Sequence, residues 1–177
     1  MNTDWRPSLQ NDLVTIQPLQ AGDFEALYQV ASDPLIWEQH PDSNRYQRLI
    51  FEAFFKGAMA SGSAFMILDT RTGAPIGSSR YYEWDETAKS IAVGYTFLAK
   101  DYWGGAYNSA LKALMLSHAF TLVDTVVFHV GSGNIRSQKA VEKLGAVKVG
   151  EATRAHGSGG GVHFIYDLRK ETWLEKR

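Results

Sequence analysis

Two stretches of this chain carry residue types and spacings that could hold a ligand. Trp103-Gly104-Gly105-Ala106 falls between a strand-like run and a helix-like run. The first N–H groups of a helix lack internal partners and carry partial positive charge, and glycine lets a ligand approach the main chain. The chemistry on offer is anion binding, phosphate above all. An ordinary tight turn uses glycines in the same way, and these residues alone leave both readings open. The second stretch, 131-GSGNIRSQKAVEKLGA-146, is a near miss for the dinucleotide-binding fingerprint. Gly131 and Gly133 match and Glu151 stands twenty residues on, but Arg136 replaces the third glycine, which in that motif permits close helix–strand packing.

Other chemistries lack a motif. The histidines at 40, 118, 129, 156 and 163 form no HExxH or HxH pair, so no metal is expected and they read as structural or solvated. No GxSxG elbow and no GxxxxGK[ST] loop occurs. Glu38, Glu83, Asp85 and Glu86 lie near strand ends, where most carboxylates are solvated charges.

The elements that must position these stretches follow from periodicity. Residues 1–11 read as a loose arm and 12–19 as a first strand. Asp23 can cap a helix with Phe24, Leu27, Tyr28 and Ala31 at helical spacing, ended by Asp33-Pro34. A second helix follows Asp42 or Ser43, with Leu49, Ile50, Ala53, Phe54 and Ala58 on one face, and stops at Ser61-Gly62. Strands at 64–69, 75–84 and 89–99, joined by short turns, predict an antiparallel meander. Then come helix 108–121, strand 125–130, helix 134–144, strand 147–154, the loop 157–161 as a hairpin turn, and strand 162–168. Strand–helix–strand order in this half predicts parallel crossovers grafted on the meander, in one α/β domain spanning 1–177.

The totals agree. A chain of 177 residues that is 45% hydrophobic can fill one core. With 18 basic and 19 acidic residues the net charge is -1, so no global field draws it to nucleic acid or to an anionic membrane surface. Zero cysteines remove thiol catalysis and disulfides and suit a reducing compartment. No signal-like start and no spanning apolar run is found, and a cytoplasmic protein is the expectation.

In their order, 74-APIGSSRYY-82, 93-VGYTFLAKDYWGGAYNSALKALMLSHAF-120 and 134-NIRSQKAVEKLGA-146 resemble the GNAT superfamily of acyl-CoA-dependent N-acetyltransferases. Within it the chain is most similar to the branch of ribosomal-protein N-terminal acetyltransferases, and the likeness runs from about Leu13 to Trp173. The resemblance implies a strongly twisted, mixed seven-stranded sheet with about four helices, opened as a V between its fourth strand, 89–99, and its fifth, 125–130. Acetyl-CoA would lie in the V as acyl donor. Main-chain groups of Thr96, Phe97 and Leu98 would pair with the pantetheine, and the turn of Gly104, Gly105, Ala106, Tyr107, Asn108 and Ser109 would hold the pyrophosphate. Asn134 would bond the pantetheine arm, and a strand N–H near Phe97 would meet the thioester oxygen.

The departures from the family pattern are as informative. Its turn is usually Gln/Arg-x-x-Gly-x-Gly/Ala, which reads here Trp103, Gly104, Gly105, Ala106, Tyr107, Asn108. The tyrosine that many members use to protonate the leaving thiolate is replaced by Val141, and the glutamate often found on the fourth strand by Ala92. The resemblance instead implies Ser137 as the acid, although a serine there also suits the first turn of a helix. The amine would lose its proton through water to Glu83 or Asp85. Trp37, His40, Arg80 and Tyr82 would line the acceptor pocket; Arg80 suits either an acceptor carboxylate or a neighbouring acid of the sheet. The expected activity is acetyl transfer to a primary amine of a small molecule, an amino acid or a protein N-terminus. The alternatives are a CoA-binding regulatory module without efficient transfer, and dinucleotide binding through 131–133. Paired subunits are common in the family, and the aromatic content permits a homodimer.

Overall fold

The computed structural model describes residues 3–154 and 161–177. The loop predicted at 157–161 therefore lies, apart from Gly161, outside the described residues. The strands are β1 (Leu9–Gln10), β2 (Val14–Pro18), β3 (Ala64–Asp69), β4 (Pro75–Asp85), β5 (Ser90–Leu98), β6 (Thr125–Gly131), β7 (Val147–Arg154) and β8 (Gly161–Arg169). The α-helices are α1 (Phe24–Ala31), α2 (Arg48–Ser61), α3 (Ala106–Ala119), α4 (Ile135–Lys143) and α5 (Lys170–Glu175). The expected mixed α/β architecture is present as one sheet in the order β1-β2-β3-β4-β5-β6-β8-β7.

Among the described residues it has eight strands rather than seven, because the arm is not loose: Leu9 pairs with Ile16 and Gln10 with Thr15. Further out, the Trp5 ring lies 5.0 Å from that of Tyr81, and the His118 ring donates to the Asp4 carbonyl at 2.7 Å. The added fifth helix, α5, packs Trp173 beside Phe120 with centroids 6.4 Å apart. The second crossover, β6-α4-β7, skips a place: β8 inserts between its two strands, antiparallel to both. Among the described residues no helix is long and apolar enough to cross a membrane.

Local chemistry explains the other differences. Asp23 stands at the N-cap position of α1 as expected, but its carboxylate bonds no N–H of that helix; it accepts the Gln20 N–H and closes the single turn before it. In α2 the buried face is Phe51, Phe54, Phe55 and Ala58, while Leu49 is 79% exposed. The predicted face was rotated, because three phenylalanines bury more area than Leu49 and Ile50 and so decide the orientation.

The sheet carries a core on each face. One packs Tyr81, Ile91, Val93, Val126 and Phe128 against Leu111, Met115 and Leu116 of α3. The other packs Met66 and Phe97 against Leu27, Phe51 and Phe54 of α1 and α2. Along β5, Ile91 and Val93 face α3, yet Tyr95 and Phe97, at the same spacing, face α2. The phase flips because Gly94 pairs with Arg80 and Phe97 with Ser78, which leaves one extra residue in β5. Tyr95 takes the strain at φ +53°, a left-handed conformation that costs a side-chain-bearing residue about 1 kcal/mol. Such a bulge re-aims side chains, and here it turns Tyr95 toward the face where the site lies.

Candidate functional site

β5 and β6 are the parallel pair of the meander-to-crossover junction, and they are joined over a short length: Ser90 with Thr125, Ile91 with Val126 and Ala92 with Val127. Beyond Ala92 the strands part, and the bulge at Tyr95-Thr96 stands on the open edge. Thr96, Phe97 and Leu98 follow along that edge. Phe97 and Leu98 bury their side chains, so what they offer the cleft is main chain. The opposite edge is fixed from behind, since a Cβ on Gly77 would come within 2.0 Å of the Phe97 carbonyl oxygen.

The chain leaves β5 through the 3-10 turn Lys100–Tyr102 into Trp103. The Trp103 indole N–H donates to the Leu98 carbonyl at 2.8 Å, so the tryptophan found in place of the usual polar residue ties the turn to the strand. Gly104 has φ +75° and Gly105 φ −166°, and a Cβ on either would meet nothing within 4 Å. No side chain caps α3, and Gly104, Gly105 and Ala106 at its start are exposed. Ala106 and Ser109 are exposed; Tyr107 and Asn108 are half-buried, Tyr107 edge-on to Tyr102.

Across the opening, Asn134 is buried and caps α4, its Oδ1 accepting the Ser137 N–H at 3.3 Å. Ser137, half-buried in the first turn, has its hydroxyl in none of the hydrogen bonds found among the described residues. Arg136 lays its guanidinium 3.9 Å from the Trp103 ring centroid, so the two sides of the opening touch at its rim. Gly131 is bare for packing: a Cβ there would reach 2.6 Å from Pro41 Cγ. That explains the glycine without a dinucleotide, and the sheet lacks the doubly wound order such a site uses.

The residues expected around an acceptor separate into two groups. Trp37 is interior, 2% exposed, its indole donating to the Ala31 carbonyl at 2.8 Å. Arg80 is also interior: it stacks on Tyr95 at 3.7 Å and faces Phe54 at 5.2 Å, and it belongs to none of the ion pairs among the described residues. The expected acid partner is thus replaced by ring faces, and burial pushes its guanidinium down to about 10. His40 and Tyr82 instead line a cavity of about 40 Å³ together with Arg45, Tyr95, His129, Arg154 and His163. His40 Nδ1 accepts the Asp42 N–H at 3.0 Å, and its Nε2 lies 3.4 Å from Arg45 Nη1, a group that can only donate. Burial first and Arg45 second push its pKa down to about 3, so it stays neutral.

His129 and Lys112 carry signals that the sequence reading missed. The Tyr82 ring crosses Gly94, where a Cβ would stand 3.1 Å from its hydroxyl, and the hydroxyl reaches His129 Nδ1 at 2.7 Å. His129 Nε2 lies 3.8 Å from Glu83, which also pairs with Arg154. Burial, then Arg154, hold His129 below the ordinary histidine value, against the opposing pull of Glu83. Glu83 therefore stands behind His129 rather than in the cleft, and Asp85 accepts the Ala88 N–H at the hairpin. On the other face, buried Lys112 of α3 donates to Thr96 Oγ1 at 3.3 Å and lies 5.9 Å from the Phe128 ring, between the parting strands. A histidine in the apolar run 125–130 was the available signal for the first; a lysine amid Leu111, Leu114 and Met115 was the signal for the second.

The model of the acetyltransferase (GNAT) domain family matches residues 14–147, and the chain belongs to that family. A comparison with curated protein sequences finds no match. Among solved structures, a GCN5-related N-acetyltransferase from Brucella melitensis is similar with TM-score 0.83 at 16% identity, over 97% of this chain and 82% of that one. A GNAT-family acetyltransferase from Bacillus anthracis aligns with TM-score 0.71 at 16% identity, over 93% and 99%. RimJ from Mycobacterium smegmatis, solved with CoA-disulfide, aligns with TM-score 0.71 at 18% identity, over 89% and 82%. At these identities the likeness is one of fold. Membership of the family implies acetyl transfer with acetyl-CoA as donor.

Proposed function

We propose that this protein is an acetyl-CoA-dependent N-acetyltransferase acting on a primary amine of a small molecule, an amino acid or a peptide N-terminus. The observation that carries the reading is the uncapped, glycine-fronted start of α3 at the mouth of a cleft between two parting parallel strands. In this reading the N–H groups of 104–109 bind the pyrophosphate. The open edge at Thr96, Phe97 and Leu98 adds the pantetheine as an extra strand. The Asn134 amide nitrogen, left over from capping, bonds the same arm. A main-chain N–H of this open edge near Phe97 meets the oxygen on which charge develops as the amine attacks. Ser137 then donates to the departing thiolate, a leaving group that needs little acid help. The acceptor enters over Tyr82 and His40.

Mixing the protein with acetyl-CoA and a panel of small primary amines, amino acids and tripeptides with free amino ends, then identifying products by mass spectrometry, tests this. An amide-linked acetyl group on one class of acceptor is expected; products acetylated only on hydroxyls would remove the N-acetyltransferase reading. Ser137→Ala is expected to lower kcat while CoA affinity stays unchanged. Val141 and Ala92, in place of the common tyrosine and glutamate, favour the non-catalytic alternative, for which the same mixture would give CoA binding and no product.

A further inference from the structure

The acceptor arrives as an ammonium, which has no lone pair, so a group at the cleft must take a proton before attack. Ala92 leaves β5 without a carboxylate at the usual position. We propose that Tyr82, His129 and Glu83 form a proton path that takes this proton out of the cleft; the proposal rests on the N-acetyltransferase reading.

The path begins where the strands part. Tyr82 shares a face with Gly94 because its neighbour Arg80 pairs with Gly94 across the sheet, and the bare glycine lets the phenol lie across β5. Its hydroxyl thereby reaches His129, two residues past the last β5–β6 pair, Ala92 with Val127. That point is at the apex of the V, on the acceptor face and next to the bulge. Glu83, 52% exposed, stands on the far side of the imidazole and opens to solvent.

The protonation states agree with the direction of transfer. Burial raises the Tyr82 phenol well above its ordinary range, so it stays protonated and passes protons without becoming an anion. In this path its O–H donates to His129 Nδ1 and the imidazole N–H sits on Nε2, toward Glu83. In the step, the ammonium N–H bond breaks and leaves its electron pair on nitrogen. That proton joins Tyr82 Oη as the Tyr82 proton moves to His129 Nδ1. Tyr82 ends neutral and His129 ends as an imidazolium whose Nε2–H faces the Glu83 carboxylate. The amine then attacks the thioester carbon, the C–S bond breaks, and the second amine proton ends on the CoA sulfur through Ser137. His129 returns its proton to solvent past Glu83.

The groups facing His129 set when it can accept. Tyr82 and Glu83 come from β4, Tyr95 from β5, Arg154 from β7, His163 from β8, and His40 and Arg45 from the segment between α1 and α2. Arg154 and His163 disfavour the imidazolium and Glu83 favours it, while burial holds the resting ring neutral. The base is therefore competent at neutral pH, and the acid limb of kcat lies below the ordinary histidine value of 6.5.

The test measures kcat against pH for the whole protein and for Tyr82→Phe, His129→Gln and Glu83→Gln, with the acceptor the panel shows to be used best. His129→Gln keeps an acceptor for the Tyr82 hydroxyl but takes up no proton. A loss of about a hundredfold at pH 7 is expected for it and for Tyr82→Phe, with CoA affinity and Tm retained. Without a base only free amine reacts, so the His129→Gln rate should climb about tenfold per pH unit below the amine pKa. Glu83→Gln should move the acid limb to lower pH. Wild-type kcat and an unchanged acid limb in His129→Gln overturn the path while leaving the transferase reading intact. A wild type that acetylates no amine overturns that reading, and the path with it.

Discussion

Lys112 carries a charge with little to balance it. It is buried between β5 and β6, and among the described residues its one hydrogen bond goes to a hydroxyl and no carboxylate offsets the burial that pulls its ammonium down to about 8. At neutral pH both the folded and the unfolded chain hold this proton, so the full penalty of burying it is present. Between pH 8 and the ordinary lysine value of 10.5 the unfolded chain keeps the proton and the folded protein releases it, so stability from this group rises with pH. Replacing Lys112 by Met should therefore stabilise the protein by about 1–3 kcal/mol at pH 7. Urea denaturation at pH 7 and pH 10 checks it: the gap between variant and wild type should narrow at the higher pH, and equal midpoints at pH 7 would mean the ammonium is not desolvated. In the sequence its apolar neighbours Leu111, Leu114 and Met115 mark the position as buried, but nothing local shows that the lysine lacks a carboxylate partner. His129 was hidden for a related reason: its partners Tyr82, Glu83 and Arg154 come from two other strands, and no spacing within one strand announces them.

Elements were legible where one pattern dominated. Ala64–Asp69 and Val147–Arg154 have the bounds that alternation and turn residues predict, and the glycine turn stands before α3 as read. α2 and β5 misled in which face they bury. α2 has apolar residues on more than one face, so periodicity could not fix which face is buried, and aromatic area decided. β5 carries an extra residue that reverses its alternation at Tyr95, and a period-two pattern gives no warning of a bulge. The turn itself offers a test that separates a binding site from an ordinary turn. Gly105 is extended, open and at the N-cap position, so Gly105→Asp should fit without strain and change stability by only a few tenths of a kcal/mol. Its carboxylate would take the N–H groups of α3 and repel phosphate, weakening CoA binding at least about tenfold by calorimetry. Unchanged affinity would mean that the pyrophosphate lies elsewhere.

At the scale of the whole molecule, the splayed sheet gathers neutral histidines at the cavity between its two halves. His40, His129 and His163 are all held below the ordinary histidine value, chiefly by burial. As pH falls below 6.5 the unfolded chain takes up protons that the folded protein refuses, so stability falls, and for His40 this continues toward pH 3. Asn at position 40 keeps an acceptor for the Asp42 N–H and does not titrate. His40→Asn should therefore lose about 2 kcal/mol less than wild type between pH 7.5 and pH 5, measured as the shift in urea midpoint. The architecture that brings these rings together was expected from the order of strands and helices; their contacts were not, because they join residues far apart in the chain. Acetyl transfer to an amine in the cleft is checked by following free thiol from acetyl-CoA with and without acceptor. Thiol released in equal amount to acetylated amine, and only when the amine is present, is the expected result; tight CoA binding with no acceptor-dependent release would rule the transfer out.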